Sequence, residues 1–427
     1  MNASIGWKAS GMNTMSTPNA DSPRIAVVGG GAAGLLAAGI ASANGAAVTI
    51  FERNPGPGKK LLITGKGRCN LTNDCSPEEF IRNVTKNGSF LYSAINRFTP
   101  QDTKDLFTSL GVDLKTERGQ RVFPASDKSR DILSALERHT SNCAFRHTKV
   151  TGIALSEGRV SGVVCGDDCF PFDSVILATG GVSYPLTGSD GSGFAIARKL
   201  GHTVTPLIPS LVPLVSPSPF CREMQGLSLK NVALTLRVNG REVYTDFGEM
   251  LFTHFGLSGP MVLSASAHLR SADFRDVKVS IDLKPALDRE TLEKRLLSDF
   301  AKYINRDLGN ALGDLLPQKM ILPFLSLAGI NPRKKVNVLT KPERERMLDT
   351  LKDFTIPISG FRPIEEAIVT SGGIDVKEIY PKTMMSRKVD RLFFAGEIID
   401  VDAYTGGFNL QIAFSTGYLA GLSASLT

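Results

Sequence analysis

Past a polar stretch at Met1–Ser22, the chain turns apolar in short, regularly spaced runs. Arg24–Val28 is short and continuously apolar enough for a buried strand, Leu35–Asn44 carries a helical pattern, and Ala47–Phe51 is a second strand ending at Glu52. Ser174–Leu177 and Arg391–Phe394 repeat the buried-strand pattern much later. Between them the period changes. Val232–Val238 alternates apolar and polar, Asn239-Gly240 signals a hairpin, and Arg241–Tyr244 answers it; Asp276–Leu283 alternates again, predicting antiparallel β structure. From Asp288 to Lys352 the pattern is helical, with Leu292, Leu296 and Phe300 at four-residue spacing and a capping box at Thr340-Lys341-Pro342-Glu343. The chain returns to small and apolar residues through Ala367–Ile374.

Glycine gives the first strand and helix a chemical meaning. The turn between them is Gly29-Gly30-Gly31-Ala32-Ala33-Gly34, a G-x-G-x-x-G in a strand–turn–helix–strand setting, with Glu52 closing the second strand. Gly29 permits the tight turn, Gly31 lets backbone amides approach a pyrophosphate, and Gly34 allows close helix packing. The helix N-terminus favours the phosphate charge. Glu52 can accept from ribose hydroxyls. A dinucleotide site follows.

The fingerprint alone fits NAD or FAD, and later segments choose between them. Gly58–Asn73 combines glycines, basic groups and amides, as a loop running along a pyrophosphate toward a flavin would. Ser174–Leu177 ends in Ala178-Thr179-Gly180-Gly181, and Arg391–Phe394 ends in Ala395-Gly396-Glu397. The Gly406-Gly407 turn then starts a small-residue helix at Phe408-Asn409-Leu410, whose amides suit the negative edge of a reduced flavin. No second G-x-G-x-x-G and no redox cysteine pair occur, which excludes dithiol chemistry. FAD is the cofactor these segments favour.

Composition then sets bounds. No apolar run approaches the roughly 18–20 residues of a membrane span, and the polar start, read as a disordered tail at 1–22, predicts a cytoplasmic protein. Six cysteines without a C-x-x-C pair indicate neither a disulfide framework nor a metal site. The net charge of +7 is too slight over 427 residues to argue for nucleic acid. Basic residues concentrate in the helical block, including Arg333-Lys334-Lys335, either as a solvated face or as a docking surface for an acidic partner.

Taken together, Gly58–Asn73, Ala178–Gly193, Gly248–Pro260 and Phe394–Gly421 resemble the bacterial FAD-binding proteins grouped with aminoacetone oxidase and 3-dehydro-bile-acid reductase. The resemblance runs from Ile25 to Gly421, with departures at Ala403-Tyr404 and Phe408. It implies an α/β fold in which a Rossmann-like FAD-binding domain (23–207 and 361–427) is split by a β-barrel-like domain (208–284 and 353–360) and a small helical domain (285–352). Cofactor contacts are expected from Gly29, Gly31, Ala32, Ala33, Gly34, Glu52, Arg53, Lys60, Lys66, Gly67, Arg68, Cys69, Asn70 and Val150. They continue at Ala178, Thr179, Gly180, Gly181, Gly373, Gly396, Glu397, Gly407, Phe408, Asn409 and Leu410.

The expected activity is flavin-dependent hydride transfer from NADH or NADPH to a small or medium hydrophobic, enone-like molecule. An amine oxidase using dioxygen, and a flavin-binding sensor without substantial turnover, remain open beside it, as does the oligomeric state. His254, in Phe252–Pro260, and Tyr184, in Gly181–Pro185, are the candidate proton donors by motif, and a structural role, capping a loop for His254 and packing for Tyr184, suits each better. Arg68 could hold a substrate carboxylate or a cofactor phosphate.

Overall fold

The computed structural model describes residues 22–270 and 273–427, so the expected tail, Ser22 apart, lies outside the described residues. A five-stranded parallel sheet organises the first body in the order Leu392–Phe394, Ser174–Leu177, Arg24–Val28, Ala47–Phe51, Ala144–Arg146. The central strand is buried from Ile25 to Val28, which is why its sequence reads as an unbroken apolar run. The first helix begins at Ala32 rather than Leu35, because the last glycine of the fingerprint lies inside it. It packs on the C-terminal helix Phe408–Ser425, where a Cβ on Gly421 would stand 2.3 Å from the Ala37 carbonyl oxygen. Only glycine allows the two helices to approach so closely.

The insert is antiparallel. Ser228–Val238 and Arg241–Thr253 form the expected hairpin around Asn239-Gly240, both with positive φ, and Val277–Asp282 pairs on the far side of the first strand. The sheet closes through one extended segment. Phe354–Ile358 pairs with Val277–Asp282, and immediately beyond Ser359 the chain pairs Gly360–Phe361 with Leu214–Val215 at the opposite end of the strand order. That continuity makes the inserted sheet barrel-like.

Helices Arg289–Lys302 and Lys341–Lys352 bracket the helical block, and the second carries the full Thr340/Glu343 capping box. Its apolar residues have no core of their own: Leu292, Leu296, Met347 and Leu351 join Leu234, Leu236, Val279 and Ile356 of the sheet in one buried cluster. Two chain crossings connect the bodies, Ile208–Ser210 and Val369–Ser371, which pair antiparallel as a short ribbon. Among the described residues no helix is long and apolar enough to cross a membrane.

Candidate active site

The strand ends of the parallel sheet open into a cleft of about 740 Å³ that the inserted barrel covers. One wall is Gly29–Ala33 with Glu52–Asn54; the next is Ala178–Gly180 with Ser189 and Ser192; a third is Gly396–Glu397 with Tyr404–Gly407, Asn409 and Leu410. The barrel contributes Leu251, Ser258, Gly259, Pro260 and Leu263. Clefts at such domain junctions are the usual seats of small molecules.

Each wall is held by identifiable bonds. Gly30 N–H donates to Glu52 Oε2 at 2.9 Å, while Glu52 Oε1 accepts from the Asn54 backbone at 2.8 Å and its side chain at 2.7 Å. The turn and the acid at the end of the second strand are therefore one hydrogen-bonded unit. A Cβ on Gly34 would stand 1.9 Å from the Gly29 carbonyl oxygen, so the turn and helix fit only with glycine there. Gly31 behaves oppositely: a Cβ there meets nothing within 4 Å and would project into free space. Lys60 Nζ donates to Glu397 Oε2 at 2.7 Å and to Ser183 Oγ at 2.6 Å, joining the third wall to the short helix Lys59–Ile63. That helix replaces the loop expected at the start of Gly58–Asn73; the chain then turns through Gly65, Lys66, Gly67 and Cys69, all at positive φ.

Most expected cofactor residues meet in this cleft: Gly29, Gly31, Ala32, Ala33, Glu52, Arg53, Lys60, Lys66, Arg68, Asn70, Val150, Ala178, Thr179, Gly180, Gly396, Glu397, Gly407, Asn409 and Leu410 line it. Six others stand outside its lining. Gly34 lies behind the turn, Gly67 in the left-handed bend, and Gly181 beneath the Thr370 hydroxyl. Gly373 packs against the Ile398 carbonyl, and Phe408 is buried edge-on to Phe80. Cys69 is fully buried, and that burial pushes its thiol up to about 12, which removes it from redox use at neutral pH.

Arg68 lines the cleft with its charge already committed. It bonds Glu117 and Asp127 and stacks 4.2 Å over the Phe123 ring, so its charge is paired within the protein. The two candidate proton donors are not brought into the cleft. His254 sits exposed on the turn after Thr253, against Phe255, and Tyr184 holds a left-handed turn at the surface with its N–H on the Glu365 carbonyl. Local motif placed both; the barrel hairpin and the Tyr184 turn point elsewhere.

What motif reading did not single out is a cluster at the seam between the bodies. Tyr404 lines the cleft, and its hydroxyl lies 2.6 Å from His268 Nε2. Tyr244 stacks on His268 at 4.9 Å and donates to Asp246 Oδ2 at 2.8 Å. Burial pushes both phenols up, aided at Tyr244 by Asp246, while Arg270 works against the rise at Tyr404. Burial and Arg270 hold His268 below the ordinary imidazole range. Three residues far apart in sequence meet here, a relation no local pattern reveals.

The family model of the HI0933-like protein Rossmann domain matches residues 23–423. The chain belongs to this HI0933-like family. It is accordingly an FAD-dependent oxidoreductase. The HI0933-like chain is 36% identical over 424 residues to a 3-dehydro-bile acid delta(4,6)-reductase of Clostridium scindens, covering 94% of this chain and 99% of that one. It is 32% identical over 400 residues to a ribosomal RNA dihydrouridine synthase of Escherichia coli, covering 92% and 95%. In fold it resembles the 3-ketosteroid-delta4-(5alpha)-dehydrogenase of Rhodococcus jostii, with a TM-score of 0.51, 16% identity, and coverage of 94% and 97%.

The cleft fits FAD on its own evidence. Gly31 leaves an open cradle beside the helix N-terminus, and Asn70 Oδ1 and Thr179 Oγ1 are buried in the lining with no hydrogen-bond partner among the described residues. Buried polar atoms are seldom left unpaired, so a bound polar group belongs beside them.

Proposed function

We propose that this HI0933-like protein reduces a carbon–carbon double bond conjugated to a carbonyl, using electrons from NADH or NADPH, in the cytoplasm. The observation that carries this reading is the cleft's two-sided construction: cofactor-type turns on one wall, and apolar Leu251, Pro260 and Leu263 of the barrel on the other. Gly29–Ala33 and Glu52 would hold the adenosine and pyrophosphate, Lys60 and Glu397 the ribityl chain, and Gly407–Leu410 the flavin edge. Bound FAD supplies hydride transfer. The protein's share is to orient the double bond, exclude water and deliver a proton.

The names of two relatives support the reaction class from different directions. A 3-dehydro-delta(4,6) bile acid and a uridine each present a C=C conjugated to C=O, and reduction saturates it in both. The apolar barrel wall favours the small hydrophobic substrate. The unsaturated base of an RNA is the second reading, supported by the second relative.

The test is anaerobic reoxidation of the reduced protein. A 3-oxo-4-ene steroid is expected to restore the visible flavin band, and its saturated ketone is not. Reoxidation by a uridine-containing transcript in place of the steroid selects the second reading. No bleaching by either nicotinamide cofactor, with hydrogen peroxide formed from amines, overturns both.

A further inference from the structure

Saturating a conjugated C=C adds two electrons and two protons, delivered as one hydride and one proton. Hydride goes to the carbon β to the carbonyl, the resulting enolate gathers charge on oxygen, and the α carbon then takes a proton. The hydride comes from the reduced flavin, recharged by a nicotinamide cofactor; the proton has to come from a protein group or from water. His254 and Tyr184 stand outside the cleft, and the Cys69 thiol is fully buried. Lys60 is bonded to Glu397 and Ser183, and Arg68 to two carboxylates. Tyr404 is the cleft-lining residue that carries a dissociable neutral proton and has a second proton-bearing group directly behind it.

We propose that Tyr404 donates the proton to the α carbon and that His268 is its positioning residue, reprotonating it from the solvent side. The proposal rests on the reductase reading above. In the Nε2–H tautomer, His268 donates to the Tyr404 oxygen, which leaves the phenolic O–H free to be given up and stabilises the phenolate that remains. As water at the seam delivers a proton to the other ring nitrogen of His268, the Nε2 proton passes to that phenolate, so the imidazole exchanges tautomers and stays neutral. The groups that face the pair are Tyr244, stacked on His268, together with Asp246 and Arg270. Tyr244 fixes the ring plane of His268, and Asp246 is occupied by Tyr244. Ala403 and Tyr404, one of the two places where this chain departs from the family resemblance, are held at the start of the C-terminal helix by the Asn409 side chain, which bonds both carbonyls at 2.8 and 3.2 Å. The phenol is therefore anchored to the same helix end that lines the flavin edge.

Tyr404→Phe keeps the ring and its packing. Reduced anaerobically and mixed with a 3-oxo-4-ene steroid or a uridine-containing transcript, it is expected to reoxidise at least about 100-fold more slowly than the wild type. Its FAD affinity and visible spectrum should be unchanged. In deuterium oxide the wild-type product should carry deuterium at the α carbon on one face, and the residual product of the variant on both. Two readings are independent of turnover: the ultraviolet phenolate band of the oxidised protein should lose one titrating group in Tyr404→Phe, and that group should titrate at higher pH in His268→Phe. His268→Gln, which retains an N–H donor, should restore the wild-type titration. A wild type reactive with either probe and a Tyr404→Phe of equal rate overturns the proton-donor role alone. A wild type unreactive with both probes overturns the reductase reading and this role with it. A phenolate titration indifferent to His268→Phe overturns the pairing.

Discussion

Arg270 of the inserted body donates from Nη2 to Asp402 Oδ2 of the FAD-binding body at 2.7 Å. The carboxylate is almost wholly buried and also accepts from Ser210 at 2.8 Å and Ser371 at 3.0 Å. The guanidinium spends its other protons on Ser371 and on both oxygens of Thr85. Every partner lies beside the paired ribbon through which the chain crosses between bodies. One fork-shaped cation thus ties the seam over the cleft at several points.

Arg270→Gln leaves the Asp402 charge buried with only hydroxyl donors. Breaking one side of such a pair costs about 3–5 kcal/mol. The first thermal transition should fall accordingly, and limited proteolysis should cut at the ribbon in the variant before the wild type. Arg270→Lys should recover little, because an ammonium cannot span Asp402, Ser371 and Thr85 together. A variant as stable and as protease-resistant as the wild type would show that the ribbon alone holds the seam.

Gly31 and Gly34 separate cofactor binding from folding. Gly34→Ala forces its methyl onto the Gly29 carbonyl, so both thermal stability and FAD affinity should drop. Gly31→Ala adds a methyl where no protein atom stands within 4 Å, at an ordinary φ of −86°. Its cofactor-free stability should match the wild type while FAD affinity falls at least about tenfold, roughly the 1.4 kcal/mol of one displaced close contact. Fluorescence titration with FAD beside thermal melts of the stripped proteins checks both, and unaltered affinity in Gly31→Ala would remove the pyrophosphate from this turn.

The same residues show how much of the site was legible in sequence. The turn at Gly29–Gly34, Glu52, the Ala178–Gly180 bend and the Gly406-Gly407 helix start were readable because each is local: a backbone shape enforced by small residues. The barrel hairpin at Asn239-Gly240 and the Thr340 capping box were readable for the same reason. Arg68 was legible as a charge beside the cleft, but its pairing with Glu117 and Asp127, about 50 and 60 residues further along the chain, was not. Tyr404 stood out only as a departure from the family pattern, and its meeting with His268 and Tyr244 was silent because it depends on how the barrel docks. Barrel closure through Ser359 needed pairing partners on both sides, which alternation cannot supply.

His139 predicts an acid limb of stability. Its ring lies over Gly39, where a Cβ would come within 2.0 Å of Cδ2, and its Nε2 is buried without a partner. Burial lowers its folded-state value from 6.5 to about 4. The unfolded chain therefore binds a proton that the folded chain refuses between those values. Stability is full above about pH 6.5 and is lost as pH falls toward 4, by up to roughly 3 kcal/mol. His202, lowered by burial too, adds in the same direction. His139→Leu should flatten the limb measured by denaturant unfolding, and an unchanged slope would assign it to other groups.

Lys60 offers a test of how charge is used inside the cleft. Its ammonium joins Glu397 and Ser183, while Glu397 separately accepts from the Thr370 N–H at 2.8 Å and the Ser183 hydroxyl at 3.2 Å. Lys60→Met therefore leaves the carboxylate with two donors, and the loss of stability should stay near 1 kcal/mol, the worth of a single partly exposed bond. Binding should suffer more. Beside the ribityl chain it would hold, the Lys60 charge also acts at a distance on the pyrophosphate in the same cleft, where water is restricted and screening is weak. FAD affinity in Lys60→Met should fall about tenfold at low salt, and its dependence on ionic strength should become shallower than in the wild type. Titrations at two salt concentrations decide the matter. Parallel salt dependences would mean that Lys60 serves Glu397 alone, as an internal strut between the third wall and the short helix.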